Sequence, residues 1–353
     1  MRVAHLIWSL QVGGSETMLV DIANEQANAN EVIVVIGNDA VDTVLRKELS
    51  NRVHVQLVGR PAGSRNPWYA LKLLCTLRKI SPDVIHAHQE SFLDIVQWLP
   101  TPKVLTVHDT RVHLRTVNKY DAIYGISEAV CADIVNRCPA VLPTVIHNGI
   151  CPSKILQKTQ YGQRPFRVVQ ISRLYHEKKG QDILLRALHC MSDVIERGQV
   201  VVDFVGEGPS MDYLRKLASE LGVEKWCRFL GAQPRRMLYG RLHTYDLLVQ
   251  PSRYEGFGLT VVEAMAAGVP VLVSNIEGPM EIIDYGKYGY YFQVGDHLDC
   301  SEKMVHIMKN SEHRTLPKQL QGVAEYARRR FDITETANLY LDAYGKLISR
   351  ALR

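Results

Sequence analysis

Two glutamates eight residues apart, Glu255 and Glu263, stand in the segment RYEGFGLTVVEAMAAG. Glu255 lies in a glycine-rich loop, whereas Glu263 lies in a predicted helix that is apolar on nearly every side. A buried carboxylate without a partner is costly, so Glu263 requires hydrogen-bond donors. The amides that begin this helix, from Gly256 to Leu259, form an anion site made of backbone. The pattern indicates a diphosphate on these amides and hydroxyl groups that donate to Glu263.

A second set of residues suited to a phosphate follows another predicted strand. Arg173 and Lys179 lie six residues apart in SRLYHEKKGQD, at a strand-to-helix junction. Arg can bind two phosphate oxygens at once, and Lys adds a compact positive charge. Structural alternatives stay open for both sets. The basic residues could form a solvated loop, and Glu263 could pair with an internal Arg or Lys while Glu255 is exposed.

Weaker signals follow three other predicted strands. Gly13 and Gly14 precede a helix N-terminus that suits a phosphate or only a tight turn, and they lack the G-x-G-x-x-G spacing of a dinucleotide site. Gly206, in VGEGP, marks a turn that a ligand approaches closely, or a turn alone. His108, in TVHD, ends a strand, where a lone histidine is more often structural than catalytic.

Metal-binding patterns are weak in this sequence. His86 and His88, in HAH, lie on the same side of a predicted strand, but neither a carboxylate nor a third histidine stands at ligand spacing. No D-x-D motif follows a strand. The seven cysteines are scattered without a C-x-x-C, so we expect reduced thiols rather than a disulfide framework or a zinc cluster. The sequence therefore predicts no metal site.

Composition limits the possible partners. The formal net charge of +5 is too small for a dedicated nucleic-acid binder, and no run is long and apolar enough for a signal peptide or a spanning helix. A cytoplasmic protein is expected. Residues 43–119 carry twelve Lys or Arg against five Asp or Glu. This excess predicts peripheral contact with an anionic membrane, and an ordinary solvated basic face is the equal alternative.

Short apolar runs alternate with helical patterns along all 353 residues, which predicts two domains with doubly wound parallel sheets. A polar segment at 149–165 contains Gly and Pro and indicates a linker. An amphipathic helix is predicted for the last stretch. The predicted strands are 3–8, 31–37, 53–58, 83–88, 103–108 and 122–127 in the first half, and 166–172, 199–208, 226–231, 245–252 and 269–274 in the second.

The ordered motifs resemble those of the GT-B nucleotide-sugar glycosyltransferases, in particular family 4, the retaining group. The resemblance covers nearly the whole chain, and its most specific motif is the E-x7-E signature that begins at Glu255. It implies an α/β fold of two Rossmann-like doubly wound domains facing a central cleft. The acceptor-side domain would be 1–155, with the helix 333–353 packing back on it, and the donor domain 156–332. The motifs are VGGSE (12–16), DVIHAH (83–88), TVHD (106–109), GIS (125–127), HNGI (147–150), SRLYHEKKG (172–180), VGEGP (205–209), FLG (229–231) and EGFGLTVVEAMAAGVPVLVS (255–274).

The resemblance also implies a role for each candidate residue. Arg173 and Lys179 would hold the donor diphosphate, Glu263 the ribose hydroxyls, and Glu255 the donor sugar, with His108 near that sugar. Ala232 and Gln233 would lie by the base. The other expected donor contacts are Gly13, Gly14, Gly206, Gly256, Phe257, Gly258, Leu259 and Thr260. One departure leaves a loop contact open, because NIEGPMEII stands where the family often has a Gly-Gly pair.

The implied reaction transfers a sugar from a nucleoside diphosphate sugar, with UDP expected, to an acceptor hydroxyl with retention of configuration. The cations would stabilise the departing diphosphate, whose oxygen accepts the acceptor's proton, and no metal or other cofactor is expected. A double displacement with Glu255 as nucleophile is the minority alternative. The expected acceptor is a glycan or lipid-linked molecule of a bacterial surface, met at the inner face of the cell membrane.

Other functions stay open. One is a sugar-nucleotide epimerase of the same fold, which would turn over its nucleotide sugar without an acceptor. Another is a non-catalytic sugar-nucleotide-binding subunit, which the presence of both glutamates, both cations and His108 disfavours. A nicotinamide dehydrogenase is disfavoured by the missing glycine fingerprint.

Overall fold

The computed structural model describes residues 1–162, 165–195, 200–312 and 316–351. The chain divides into two compact units, Met1–Gly149 with Phe331–Arg353 (unit 1) and Ile150–Arg330 (unit 2). The division falls at Gly149, shortly before the boundary at residue 155 that the sequence suggests. Residue 199 of a predicted strand and residues 352 and 353 of the predicted last helix lie outside the described residues.

Unit 1 is built on a parallel sheet that has seven strands within the described residues. The apolar runs of its inner strands are buried, as expected for a parallel sheet covered on both faces, whereas the two outermost strands are partly exposed. The strands are β1 (Arg2–Ile7), β2 (Glu31–Asn38), β3 (Val53–Arg60), β4 (Val84–Ala87), β5 (Lys103–Val107), β6 (Ala122–Gly125) and β7 (Thr144–Val145). They lie in the order β3-β2-β1-β4-β5-β6-β7. The strand order therefore reverses between β1 and β4, where open sheets bind ligands.

The helices of unit 1 connect successive strands. They are α1 (Gly14–Gln26), α2 (Thr43–Glu48), α3 (Trp68–Ile80), α4 (Leu93–Val96) and α5 (Glu128–Arg137). Short 3₁₀ turns occupy Glu90–Phe92 and Val117–Lys119. Helix α3 buries only Leu73 and Leu77 fully, and it leaves Trp68 and Leu71 exposed.

Unit 2 repeats this architecture with a parallel sheet of six strands, counted over the described part of the chain. The strands are β8 (Phe166–Ile171), β9 (Val200–Val205), β10 (Cys227–Phe229), β11 (Leu247–Gln250), β12 (Val271–Ser274) and β13 (Tyr290–Phe292). They lie in the order β10-β9-β8-β11-β12-β13, so the reversal falls between β8 and β11. Residues that follow these two strands flank the crevice at the carboxyl edge of the sheet.

The helices of unit 2 cover both faces of this sheet. They are α6 (His176–Lys179), α7 (Gln181–Cys190), α8 (Ser192–Ile195), α9 (Met211–Glu220), α10 (Arg235–Arg241), α11 (Leu259–Ala266), α12 (Glu277–Ile282), α13 (His297–Glu312) and α14 (Leu316–Arg330). Further 3₁₀ turns occupy Pro152–Lys154, Glu224–Trp226, Leu242–Thr244 and Asp284–Gly286.

The last helix, α15 (Ile333–Ala351), follows unit 2 in the chain but belongs to unit 1. It packs against α1 and buries Tyr340 and Tyr344 completely. The Tyr340 hydroxyl accepts a hydrogen bond from Thr106 Oγ1 at 3.0 Å, and Thr336 Oγ1 donates to the His147 carbonyl at 3.0 Å. Unit 1 is therefore completed by a segment far from its other residues in sequence.

The predicted α/β class with two Rossmann-like parallel sheets is confirmed. Strands β7 and β13 were not predicted, because two or three residues give no recognisable apolar run. The middle of the segment predicted as a linker packs on unit 2. Lys158 Nζ is buried, lies 2.9 Å from Asp246 Oδ1 and donates to the Tyr245 carbonyl at 2.7 Å. Polar composition at 149–162 therefore did not mean exposure.

Candidate functional site

Two of the predicted site residues meet as an ion pair at the strand reversal of unit 2. Lys179 ends α6, which follows β8, and Glu255 lies in the loop that follows β11. Lys179 Nζ donates to Glu255 Oε2. Both side chains are mostly buried, with 18% of Lys179 and 14% of Glu255 exposed. The low exposure makes this pair stronger than a surface salt bridge.

Two polar residues that the sequence analysis did not single out also contact Glu255. Gln250 Nε2 and Ser252 Oγ lie 3.2 and 3.4 Å from Glu255 Oε2, and both residues are buried. Thr260 Oγ1 donates to Gln250 Oε1 at 3.3 Å, which orients the amide. The signal for Gln250 was available, since it is a polar residue at the end of the buried strand LLVQ. These contacts fix the carboxylate of Glu255 in one position.

A second ion pair ties the loop of Glu255 to α7, the helix that directly follows Lys179. Arg253 donates to both carboxylate oxygens of Asp182 at 2.9 and 2.7 Å, and its Nη1 also donates to the His176 carbonyl. The hydrogen bond to Asp182 raises the pKa of Arg253 above its ordinary value. Gly180 has φ +65°, and a Cβ there would overlap the carbonyl oxygen of Pro251. The bidentate Arg253–Asp182 ion pair and the Gly180–Pro251 contact thus set the distance between the Glu255 loop and the segment that follows β8.

Helix α12, which follows β12, also supports the backbone of Glu255. A Cβ on Gly278, in α12, would lie 2.7 Å from the Glu255 carbonyl oxygen and 3.0 Å from the Gly256 carbonyl carbon. Gly278 belongs to NIEGPMEII, the segment where the sequence departs from the family pattern. The single glycine there allows α12 to press directly on the backbone of the Glu255 loop.

Glu263 lies inside α11 with protein partners of its own. It is 7% exposed, and its Oε1 accepts a hydrogen bond from the Tyr239 hydroxyl at 3.0 Å. Arg235 Nε lies 3.6 Å from the same oxygen. The structural alternative foresaw an internal Arg or Lys partner, and an arginine is present. Tyr239 could not be recognised as a partner from the sequence, since α10 precedes Glu263 by more than twenty residues.

Helix α11 begins as the sequence predicts. Its N-cap is Gly258, with φ +124° and no side-chain cap, so the first amides are not covered by a capping side chain. The apolar stretch Val261–Ala266 is buried. Leu259 and Thr260 are half-buried, and Phe257 is buried. The uncapped N-terminus and its dipole retain the character of an anion site.

The remaining candidates of unit 2 lie after β8, β9 and β10. Arg173 is exposed just beyond β8. Gly206 has φ +139°, and a Cβ there would overlap the Ser172 carbonyl oxygen, so packing alone explains this glycine. The Ala232 amide donates to Glu207 Oε1 at 3.3 Å, and Gln233 Nε2 donates to the Leu230 carbonyl at 2.8 Å. Strands β10, β9, β8 and β11 are neighbours, so these exits share one edge.

The other three candidates belong to unit 1. Gly13 is the N-cap of α1, which begins at Gly14, and no side chain caps this helix either. His108 follows β5 and lines a cavity of about 590 Å³ at the carboxyl ends of β4 and β5. His88, Glu90, Asp109 and Arg115 also line it. Burial lowers the pKa of His108 to about 4, so the ring is neutral at neutral pH. The cavity is mixed in character, with both carboxylates and a guanidinium.

The sequence showed no third histidine near His86 and His88, but the fold supplies one. His5, on β1, joins them, and one ring nitrogen of each histidine lies within 4.8 Å of the others. Such proximity could in principle hold a metal ion. However, each nitrogen of His5 and His86 lies within hydrogen-bond distance of another side chain, which competes with metal coordination. Among the described residues, no helix has the length and hydropathy of a membrane span.

Comparisons with known proteins cover most of the chain. Residues 153–329 match the family model described as Glycosyl transferases group 1, and residues 12–154 match that described as Glycosyltransferase Family 4. The glycogen synthase of Mycobacterium tuberculosis is 29% identical over 315 residues, which cover 77% of this chain and 72% of that protein. The N-acetyl-alpha-D-glucosaminyl L-malate synthase of Bacillus anthracis is 25% identical over 369 residues, which cover 94% of each chain.

A solved structure with a similar fold is Anabaena HepE in complex with UDP and glucose. It has a TM-score of 0.83 and 23% identity, and the likeness covers 98% of this chain and 99% of that chain. At this level of identity the likeness shows the fold alone.

Proposed function

The chain belongs to the glycosyl transferases group 1 family and is a GT-B glycosyltransferase of the family 4 type, and on this premise we propose a specific reaction for it. It transfers a hexose from a nucleoside diphosphate sugar to an acceptor hydroxyl with retention of configuration. The donor nucleotide is UDP. Anabaena HepE binds UDP and glucose, which agrees with this choice.

The observation that carries the proposal is the chemistry at the strand reversal of unit 2. Two cations, Arg173 and Lys179, follow β8, while Glu255 and the uncapped N-terminus of α11 follow β11. Helix amides, an arginine and a lysine are groups that bind a diphosphate. A carboxylate beside them suits the hydroxyls of a sugar. An open parallel sheet binds its ligand at this edge, which is where the donor is proposed to bind.

Each residue has a separate part in the reaction. Arg173 and Lys179 stabilise the negative charge that grows on the departing diphosphate. Glu263, oriented by Tyr239 and Arg235, accepts hydrogen bonds from the ribose hydroxyls. Glu255 contacts the donor sugar, and a diphosphate oxygen takes the proton of the acceptor hydroxyl. Positive side chains supply the charge stabilisation, so the reaction proceeds without a divalent metal ion.

The acceptor binds to unit 1, in the cavity beside His108. The cavity's Glu90, Asp109 and Arg115 offer hydrogen bonds of both kinds to a polyhydroxylated molecule. We propose a glycan or lipid-linked acceptor of a bacterial surface polymer, reached from the cytoplasmic face of the membrane.

Helix α3 is the proposed membrane-contacting element. Trp68, Leu71 and Cys75 are exposed at helical spacing on one face, and the basic Arg78 and Lys79 continue it. Trp98 is 76% exposed just beyond α4, which packs against α3. Exposed tryptophans beside basic residues suit the interface of an anionic bilayer.

The experiment is a panel of nucleotide sugars, tested by thermal shift and by release of the nucleoside diphosphate with and without glycan acceptors. The expected result is stabilisation by one UDP-sugar and turnover that rises with an acceptor. Lys179→Met should abolish turnover, and Lys216→Met, at an exposed position on α9, should not. Stabilisation by a donor with isomerisation and no transfer would instead indicate an epimerase. Donor binding without turnover for every acceptor would indicate a binding subunit.

A further inference from the structure

Four histidines from neighbouring parts of the sheet are close together in unit 1. His5 lies on β1, His86 on β4, His88 directly after β4, and His108 directly after β5. Burial lowers the pKa of His5 and His108 to about 4 and that of His86 and His88 well below the ordinary value. All four rings are therefore neutral at neutral pH. A neutral imidazole has one N–H donor and one acceptor nitrogen, so its tautomer decides what it can bind.

Three of these histidines form a continuous hydrogen-bonded chain that ends at Gln26. His108 Nε2 lies 2.9 Å from His88 Nδ1, and His88 Nε2 lies 3.1 Å from His5 Nδ1. His5 Nε2 lies 2.9 Å from Gln26 Oε1. Gln26 is fully buried at the end of α1. His86 stacks beside the chain but bonds elsewhere, to the hydroxyls of Thr106 and Tyr344.

The Gln26 oxygen at the end of this hydrogen-bonded series determines which atom donates in every hydrogen bond of the series. The Oε1 of Gln26 can only accept, so His5 Nε2 must donate and His5 Nδ1 must accept. His88 then donates from Nε2 and accepts at Nδ1. His108 in turn donates from Nε2, which leaves its Nδ1 with a lone pair. That Nδ1 is buried and has no hydrogen bond to any described residue.

The surroundings of Gln26 support this orientation of its amide. Thr106 Oγ1 donates to Tyr340, so it accepts from His86 Nε2, and His86 Nδ1 must then accept from the Tyr344 hydroxyl. Burial raises the pKa of Tyr344 well above its ordinary value, and the Gln26 amide opposes that rise. The Tyr344 hydroxyl donates its proton to His86 Nδ1, so only the NH₂ side of the Gln26 amide suits its oxygen. Gln26 Nε2 makes no hydrogen bond to a described residue. The oxygen side is left for His5.

We propose that Gln26 is a positioning residue that sets the tautomer of His108 through His5 and His88. The hydrogen-bonded chain keeps Nδ1 of His108 as a buried, unpaired acceptor in a side chain that lines the unit 1 cavity, and a substrate hydroxyl bound there would satisfy it. This rests on the proposed function only in taking that cavity as the acceptor site. Gln26 itself does not line the cavity and acts only through the two intervening rings.

The first test reads the tautomer directly, in the full chain and without any substrate. Nitrogen-15 NMR of histidine-labelled protein should show His108 protonated at Nε2 and unprotonated at Nδ1, with the signal assigned from His108→Asn. Gln26→Leu removes the side-chain oxygen that accepts from His5 Nε2 and should shift His108 towards the other tautomer. Gln26→Glu keeps an acceptor and should retain more of the wild-type tautomer than Gln26→Leu. A wild-type His108 protonated at Nδ1, or a Gln26→Leu spectrum equal to the wild type, would overturn the proposal.

The second test uses kinetics and separates positioning from loss of stability. Gln26→Leu should lower kcat roughly tenfold with an unchanged donor KM, since Arg173, Lys179 and Glu263, which are proposed to bind the diphosphate and the ribose, belong to unit 2. The matched control is Thr336→Val, which removes another buried hydrogen bond of unit 1. It should lower thermal stability without changing the tautomer or kcat. Equal kcat in wild type and Gln26→Leu, despite a changed tautomer, would refute the link to catalysis. A chelatable metal ion bound stoichiometrically to His5, His86 and His88 would contradict the hydrogen-bonded arrangement of the histidines. Absence of any transferase activity leaves the NMR result intact, so failure of the proposed function is distinguishable.

Discussion

The Lys179–Glu255 ion pair gives the two side chains linked roles at the level of single residues. Lys179 is proposed to bind the diphosphate, yet its Nζ also donates to Glu255. The carboxylate therefore reduces the positive charge that a diphosphate meets. Glu263 is different, since its partners Tyr239 and Arg235 hold it apart from this pair. Substitution of Glu255 and of Glu263 should consequently have different effects on UDP binding and on kcat.

The first prediction compares Glu255→Gln with Glu263→Gln. Glu255→Gln should bind UDP at least as tightly as the wild type, because Lys179 loses its negative partner, while kcat falls roughly tenfold or more. Glu263→Gln should weaken UDP binding and raise the donor KM by about ten- to a hundredfold, since hydrogen bonds to a charged group contribute about 1.5–3 kcal/mol. One UDP titration and one donor-saturation series per variant measure both effects.

Glu220→Gln, at an exposed position on α9, serves as the control and should change neither quantity. The assignment of roles is reversed if Glu255→Gln loses UDP binding while Glu263→Gln keeps it. Two silent variants would leave the signature with a structural role only.

The second prediction concerns metal dependence. Arg173 and Lys179 supply the positive charge at the proposed diphosphate site, so turnover should persist in EDTA. The measurement is the initial rate with excess EDTA, compared with added Mg²⁺ or Mn²⁺. Loss of turnover in EDTA that only a divalent ion restores would contradict this charge assignment.

At the level of elements, close backbone contacts through glycine control where the Glu255 loop lies. Gly180 lets the end of α6 approach Pro251, and Gly278 lets α12 approach Glu255 and Gly256. A methyl group at either position must displace backbone, which cannot move aside as a flexible side chain can. Backbone packing thus holds the loop from two sides, and neither glycine contributes a functional side chain.

The third prediction tests this support with Gly278→Ala. The added Cβ would lie within 2.7–3.1 Å of the Glu255–Gly256 backbone, so the loop must shift by a few tenths of an ångström. We expect kcat to fall about tenfold, with a smaller loss of UDP affinity. Gly322→Ala in α14 is the matched control, since a Cβ there meets open space and alanine favours a helix. Equal kcat in the two variants would show that the contact does not position Glu255.

The fourth prediction places α3 at an anionic membrane. A polarity-sensitive fluorophore on Cys75, in the exposed face of α3, should shift to the blue with vesicles of acidic lipid and not with neutral vesicles. The same label on Cys190, at the exposed end of α7 in unit 2, should not respond. High salt or Trp68→Ala should reduce the response, and Leu142→Ser, at another exposed apolar side chain, should not. A response equal for acidic and neutral vesicles contradicts the electrostatic part of the idea.

Patterns along the chain were sufficient for the elements and insufficient for contacts between them. Apolar runs and glycines predicted the long strands and the start of α11, because burial and backbone conformation leave a local trace. His5, Gln26 and Tyr239 left none that could be recognised. His5 meets His88 only because β1 and β4 are neighbours, and Tyr239 meets Glu263 through the packing of α10. Such pairs depend on strand order and helix packing, which one sequence does not display.

At the level of the whole molecule, the buried histidines make stability depend on pH. An unfolded histidine has a pKa of about 6.5, whereas burial lowers that of His5 and His108 to about 4. Between these values the unfolded chain binds protons that the folded chain does not, so acid favours unfolding. Between these pKa values, each such histidine lowers the free energy of unfolding by up to about 1.4 kcal/mol for every pH unit of acidification. Above about pH 7 this contribution to stability is complete.

The fifth prediction is that the free energy of unfolding falls steeply from pH 6.5 to pH 4 and is nearly constant from pH 7 to 8. Urea unfolding across this range measures it, and hydrogen exchange should show β1 and β4 of unit 1 opening before the strands of unit 2. His54→Gln, at an exposed histidine, should keep the same dependence. Stability that is equal at pH 7 and pH 5 would contradict the burial of neutral histidines.

The position of α15 also has a consequence for how the chain is made. A ribosome releases residues in order, so all of unit 2 emerges before the helix that unit 1 needs. Until then α1 lacks its neighbour, and Thr106 and His86 lack the tyrosine hydroxyls of Tyr340 and Tyr344. The first 149 residues therefore remain incompletely folded until α15 has been synthesised, while unit 2 can already reach its native state. Synthesis order and assembly order are opposite in this protein, and a nascent chain stalled near residue 330 would expose the uncovered side of α1 to chaperones and proteases.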